Sequence, residues 1–204
     1  MKYISIGDGC SVNYNIQNFR GKCESLFFDI LLISMTAVLS ILNCENIKDI
    51  LYSENIVKED VEYSPYNPHS KVFIKNLNWC VSIHDLPINY TDNDLLIFID
   101  KYTRRFNRII EYIKSNEKIC FIRLGHTSDN DINKFIETIK KINADCDFNL
   151  VVIHNDKNNN TEIIKQKNLL YIKLNIDNPK DNNNDWTMQY LNWNNIFLDI
   201  ENNI

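Results

Sequence analysis

From Thr91 to Ile153 the chain alternates long amphipathic helical patterns with short apolar runs, and this alternation narrows the folds open to it more than anything else in its 204 residues. Thr91 and Asp92 offer N-cap oxygens, and Leu95, Ile99, Tyr102, Phe106, Ile109 and Ile113 then recur at helical spacing. Ile119 to Ile122 reads as a buried strand and Gly125 as a turn. A helix from Asp129 follows, carrying Ile132, Phe135, Ile136 and Ile139, and then a second buried strand, Asn149 to Ile153. Buried strands separated by helices pair in parallel through right-handed crossovers. The expected fold class is α/β: three layers, a mostly parallel sheet with helices on both faces, Rossmann- or flavodoxin-like.

The rest of the chain fits around that frame as one α/β domain over residues 1–204. Tyr3-Ile4-Ser5-Ile6 reads as a strand and Gly7-Asp8-Gly9-Cys10 as a tight turn, with Val12, Ile16 and Phe19 on one face of a following helix that Gly21 closes. An apolar helix is expected from about Phe28 to Leu42, a short one near 46–52, and loop up to about residue 70. Val72 to Ile74 and Cys80 to Ile83, separated by Asn76-Leu77-Asn78, suit a hairpin or two neighbouring strands. Beyond the polar loop 156–160, Leu169 to Leu174 is a further strand and 175–185 a further loop. Trp186, Tyr190, Trp193 and Phe197 form the core-facing stripe of a last helix.

Composition removes several classes of function. With 27 acidic against 22 basic residues the net charge is −5, which repels a polyphosphate backbone, so no nucleic-acid partner is expected. Lys101, Arg104, Arg105 and Arg108 cluster on the long helix, where a solvated face accounts for them. The uncharged stretch Ile30 to Leu42 is shorter than the roughly 20 residues a spanning helix needs, so no membrane anchor is expected. Six cysteines without CxxC spacing read as reduced thiols of a cytoplasmic protein, Cys80 and Cys120 among them as small buried hydrophobes. No Cys/His pair has zinc-ligand spacing, and the glycine turn lacks both the third glycine of a dinucleotide fingerprint and a phosphate-binding lysine. Neither metal nor cofactor is expected, and nothing bears on oligomeric state.

In an open parallel sheet, ligands bind at the carboxyl ends of the strands. Cys10 follows the first strand, His84 and Asp85 end the Cys80–Ile83 run, Arg123 and His126 flank the end of the next strand, and His154 ends the one after. At the start of a helix the Cys10 thiol meets unpaired N–H groups and the positive end of the dipole, which favours the thiolate. These residues suit nucleophilic catalysis: Cys10 attacks a carbonyl-like carbon, His84 moves the proton, and Asp85, Asp8 or Asp29 orients the imidazole. The N–H groups of Cys10 and Ser11 suit a developing oxyanion. Asp8, Ser11, Arg123 and His126 are the expected substrate-binding residues, for a small-molecule or peptide substrate. His154, followed at once by a polar loop, reads as a capping residue.

Three segments resemble a known family. Ile4-Ser5-Ile6-Gly7 with Cys10, Ser25-Leu26-Phe27-Phe28-Asp29-Ile30, and Ile83-His84-Asp85-Leu86 are similar in order and spacing to the motifs of the proteins labelled "putative papain-like cysteine peptidases" of bacteria and large DNA viruses. The resemblance continues through Lys101-Tyr102 and Arg104-Arg105 to Phe121-Ile122-Arg123. It departs from the family where Phe27 replaces a proline and Ile30 a tryptophan. It implies site roles for Cys10 and His84, gives weight to Asp29, and implies host cytoplasm for a viral member. The strand order expected above is unlike that of papain itself. A cysteine-dependent hydrolase or acyl transferase is the leading reading. The alternatives are a non-catalytic module holding an anionic or sugar-like ligand with Arg123 and His126, and a host-interaction protein that kept the fold.

Overall fold

Two sheets share one apolar interior. A computed structural model describes residues 1–7, 9–58, 69–125, 127–155, 162–174, 187–188 and 191–204. Asp8 and His126, the loops expected at 156–160 and 175–185, and the aromatic positions Trp186 and Tyr190 lie outside the described residues.

The first sheet contains β1 (Lys2–Ser5), β6 (Ile119–Leu124), β7 (Phe148–Asn155), β9 (Leu169–Leu174) and β8 (Glu162–Gln166), side by side in the order β1-β6-β7-β9-β8. The first four are parallel and β8 is an antiparallel edge. Helices α1 (Ser11–Arg20) and α6 (Trp193–Asn203) cover one face, where Val12, Ile16, Trp193 and Phe197 meet Tyr3, Ile122, Val151 and Ile172. On the other face α4 (Asp92–Lys114) and α5 (Asp129–Ile142) bring Tyr102, Ile109, Phe135 and Ile139 onto Ile4, Phe121, Leu150 and Val152. This is the expected three-layer α/β arrangement with a mostly parallel sheet.

The starts of the two long helices follow from their sequences. Thr91 Oγ1 accepts from the Asp94 N–H while the Asp94 carboxylate accepts from the Thr91 N–H, a reciprocal capping box. Ser128 caps α5 through the Asp131 N–H. The last helix is shorter than its aromatic spacing suggests: it begins at Trp193, capped by the Asn192 side chain.

The second sheet is a finding of the structure. It runs β2-β5-β4-β3, from β2 (Leu31–Ile33), β5 (Cys80–Pro87), β4 (His69–Ile74) and β3 (Ile56–Lys58), and every pairing is antiparallel. The β4–β5 hairpin was expected; β2 and β3 were not. An uninterrupted apolar run has no period to separate strand from helix. Thus 28–42 divides into a turn, β2, and α2 (Met35–Leu42), with Ser34 as the N-cap accepting from the Ala37 N–H. The expected short helix is α3 (Ile47–Ile50). The inner face of this sheet, including Leu31, Ile33, Val72, Ile74 and Cys80, joins the interior beneath α4. Among the described residues no helix is long and apolar enough to cross a membrane.

Candidate active site

The β1–α1 turn and β5 meet where the two sheets abut. Gly7 has φ +94°, and a Cβ there would lie 2.2 Å from Ile33 Cγ2 and 2.9 Å from Arg123 Nη1, so the close approach of β1 to β2 depends on glycine. Gly9, at φ +121°, completes the turn. Cys10 is then the N-cap of α1; its carbonyl accepts from the Tyr14 N–H, and no side chain caps the first turn. Ser11 is the first helical residue and is buried.

A bulge in β5 presents His84. Ser70 pairs with Leu86 and Val72 with Ser82, so Ile83, His84 and Asp85 all stand opposite the single residue Lys71. Extra residues on one strand bend it and re-aim its side chains. The strand therefore does not end at Ile83, as its apolar run implies, but continues through the bulge to Pro87. His84 is exposed on the outer side, with the His69 ring edge-on at 6.4 Å between centroids.

Cys10 and His84 line one pocket of about 660 Å³, together with Gly9, Ser11, Ile30, Leu32, Ile83 and Met188. No hydrogen bond joins the two side chains among the described residues, and all six cysteines are free. Burial pushes the half-buried Cys10 thiol above its ordinary pKa, opposed by a hydrogen bond from its own backbone and reinforced by the Asp85 carboxylate. Removing the thiolate from water works against the stabilisation that the positive end of a helix offers it. A resting thiol needs a base to take its proton during attack.

Asp85 faces the interior and its oxygens are taken. Ser82 Oγ and Tyr102 Oη each donate to Oδ2 at 2.6 Å, and Lys101 Nζ donates to Oδ1. Burial opposes ionisation of this carboxyl, but the hydrogen bonds from Lys101, Ser82 and Tyr102 and the lysine's charge together hold it below the usual carboxylate range. None of these partners is His84. As an orienter of the imidazole, Asp85 is limited to acting through the bulge it anchors.

Asp29 is not among the pocket's lining residues, although its neighbour Ile30 is. Asp29 is 2% exposed, and Oδ2 accepts from the Leu26 N–H at 2.6 Å, closing the turn that leads into β2. It does not cap the helix after it, a role that Ser34 fills. Burial raises its pKa to about 7, offset in part by the Leu26 hydrogen bond and the charge on Arg105. An acid whose folded pKa lies above its unfolded value binds a proton on folding between the two. Its contribution to stability therefore falls as pH rises from about 4 to about 7. Asp29→Asn keeps an acceptor for Leu26 but cannot ionise. The variant is expected to gain on the order of 4 kcal/mol over the wild type at pH 8 and little at pH 4, in urea unfolding. The same difference between variant and wild type at both pH values would show that folding does not raise the Asp29 pKa.

Arg123 lies within β6 rather than beyond its end. It is 4% exposed, and Nη1 donates to Ile6 O at 3.0 Å and Ile33 O at 2.8 Å, joining the end of β1 to that of β2. These bonds give Arg123 a structural role, because the strand carries the guanidinium under the Gly7 turn. His154 is also inside its strand, and lines a separate pocket with Asp129, Asn133 and Tyr171.

The helix α4 basic residues are similarly employed. Lys101 binds Asp85, Arg105 lies over the Tyr102 ring at 5.2 Å, and Arg108 donates to Ser25 O at 3.0 Å; only Arg104 is exposed. The solvated-face reading of that cluster is thus corrected. Ile30, Leu32, Ile83 and Met188 were not foreseen as pocket walls. Alternation along β2 carries a signal for Leu32 that becomes readable once the register is known; Ile83 is re-aimed by the bulge, and Ile30 and Met188 lie outside both strands.

The segments that resemble one family in sequence also meet in space. Tyr102 donates to Asp85 and packs edge-to-face on Phe27 at 5.1 Å, so the Phe27-Phe28-Asp29, His84-Asp85 and Lys101-Tyr102 motifs close on one another. A family model described as "Putative papain-like cysteine peptidase (DUF1796)" matches residues 1–158. "Uncharacterized protein R408" of Acanthamoeba polyphaga mimivirus is 28% identical over 223 aligned positions, covering 96% of this chain and 96% of that protein. No solved structure matches. With a match over more than half of its length, the chain belongs to the putative papain-like cysteine peptidase family.

Proposed function

We propose that the protein is a cysteine-dependent hydrolase or acyl transferase in which Cys10 is the nucleophile and His84 the general base. The observation that carries this reading is the shared pocket, in which the thiol at the start of α1 and the imidazole on the β5 bulge are, among the described residues, the two ionisable side chains. Sγ attacks the substrate carbonyl carbon as His84 takes the thiol proton, and the C–S bond forms. The bond to the leaving group then breaks, and His84 returns the proton to that group. Water, or another nucleophile in a transferase, attacks the thioester, and the thiol is regenerated. No side chain caps the first turn of α1, whose N–H groups beside Cys10 suit a developing oxyanion.

The test uses p-nitrophenyl acetate with the full chain. A burst of about one p-nitrophenolate per protein is expected, with one acetyl group on Cys10 by peptide mapping, and Cys10→Ala should show neither. A burst retained in Cys10→Ala would contradict the reading. The non-catalytic alternative predicts ligand binding without any acyl-enzyme.

A further inference from the structure

Among the described residues, the walls of the Cys10 pocket offer a substrate almost no polar side chain. Ile30 and Leu32 come from the segment containing β2, Ile83 from the β5 bulge, and Met188 from the segment before α6. Gly9 contributes only backbone. The remaining three, Cys10, Ser11 and His84, belong to the reacting end, where the nucleophile and base reside.

The wall extends beyond the pocket. Leu32 pairs with Val81, Val81 with Phe73 and Phe73 with Val57, so one cross-strand row on the side of the sheet opposite Leu31 and Ile33 is apolar from edge to edge. A volume of about 660 Å³ is many times the roughly 30 Å³ that a water occupies, and far exceeds the needs of a small leaving group. Apolar walls of this extent gain free energy from an apolar guest and offer no compensation to a polar one.

We infer that the substrate is an ester or thioester of a medium-length linear acyl chain. The chain lies along Leu32, Ile83, Ile30 and Met188, and the carbonyl meets Cys10. The inference rests on the proposed Cys10–His84 chemistry and adds the identity of the acyl group. The covalent step is unchanged: the acyl carbonyl forms a thioester with Sγ, the alcohol or thiol leaves with the proton carried by His84, and water releases the fatty acid.

The experiment compares p-nitrophenyl acetate, butyrate, hexanoate and octanoate on the full chain, measuring the acylation rate of Cys10. Acylation kcat/KM is expected to rise roughly threefold to fourfold for each added methylene, because each buried methylene is better bound than solvated. Leu32→Asn and Ile83→Asn should flatten that slope. As a measurement independent of catalysis, Cys10→Ala should bind octanoate at least about tenfold more tightly than butyrate in calorimetry. A flat series in which Cys10 is still acylated would overturn the acyl-chain assignment and leave the thiol chemistry standing. Selective cleavage of leucyl or phenylalanyl p-nitroanilides with a flat ester series would overturn it in favour of a peptide side chain. Failure of every ester to acylate Cys10 would overturn both.

Discussion

Replacing Arg123 with methionine is expected to destabilise the fold by about 3–6 kcal/mol, because each charge-assisted hydrogen bond contributes roughly 1.5–3 kcal/mol and those to Ile6 and Ile33 are lost. Their acceptors are the carbonyls of Ile6, just past β1, and Ile33, at the end of β2 in the other sheet, so the guanidinium acts as a rivet beneath the Gly7 turn. The loss should appear as a lower urea midpoint with little change in slope. Arg123→Lys should recover only part of it, since one ammonium does not reproduce the planar fork of the guanidinium. An Arg123→Met protein as stable as the wild type but unable to bind a ligand would contradict the rivet and place Arg123 in the substrate site.

His84→Ala carries the second large effect. General-base catalysis contributes about 10²–10⁴-fold, and the acylation rate of Cys10 should fall by that amount. His84 is exposed on the bulge, so its removal should change stability by less than about 0.5 kcal/mol. That separation distinguishes a chemical role from a structural one, and added imidazole should restore part of the lost rate. A rate within about threefold of wild type would remove His84 from the mechanism. Asp85→Asn should act differently: its main effects should be on the bulge and on stability, because Ser82, Lys101 and Tyr102 surround the carboxylate. The Asp85 contribution is present above about pH 4 and is lost as pH falls below it, the opposite sense to that of Asp29.

The parallel sheet was legible in the sequence because its strands are buried on both faces and its helices carry long periodic stripes. The second sheet was harder to see. Leu31-Leu32-Ile33 lies in a continuous apolar run that reads equally as helix, and its strand character comes from pairing with Cys80 to Ser82, about fifty residues away in the chain. The same limit explains the site. The turn at Cys10 and the histidine at 84 could be singled out locally, and the structure places both on one pocket. The roles of Arg123 and Asp29 could not, since each depends on which backbone groups a fold brings within reach. Charge alone marks such residues as costly to bury without distinguishing a rivet or a turn-closing carboxyl from a catalytic group. The desolvation that opposes a Cys10 thiolate was not legible for a related reason, because it is a property of the packed site.

Competition among the six thiols tests the central claim most directly. Cys23 is exposed whereas Cys10 is half-buried, and burial raises the pKa of both. Accessibility alone therefore favours Cys23. With limiting iodoacetamide and peptide mapping of the native protein, activation by His84 predicts that Cys10 is alkylated first in the wild type and falls behind Cys23 in His84→Ala. Faster modification of Cys23 than of Cys10 in the wild-type protein would contradict a nucleophilic Cys10.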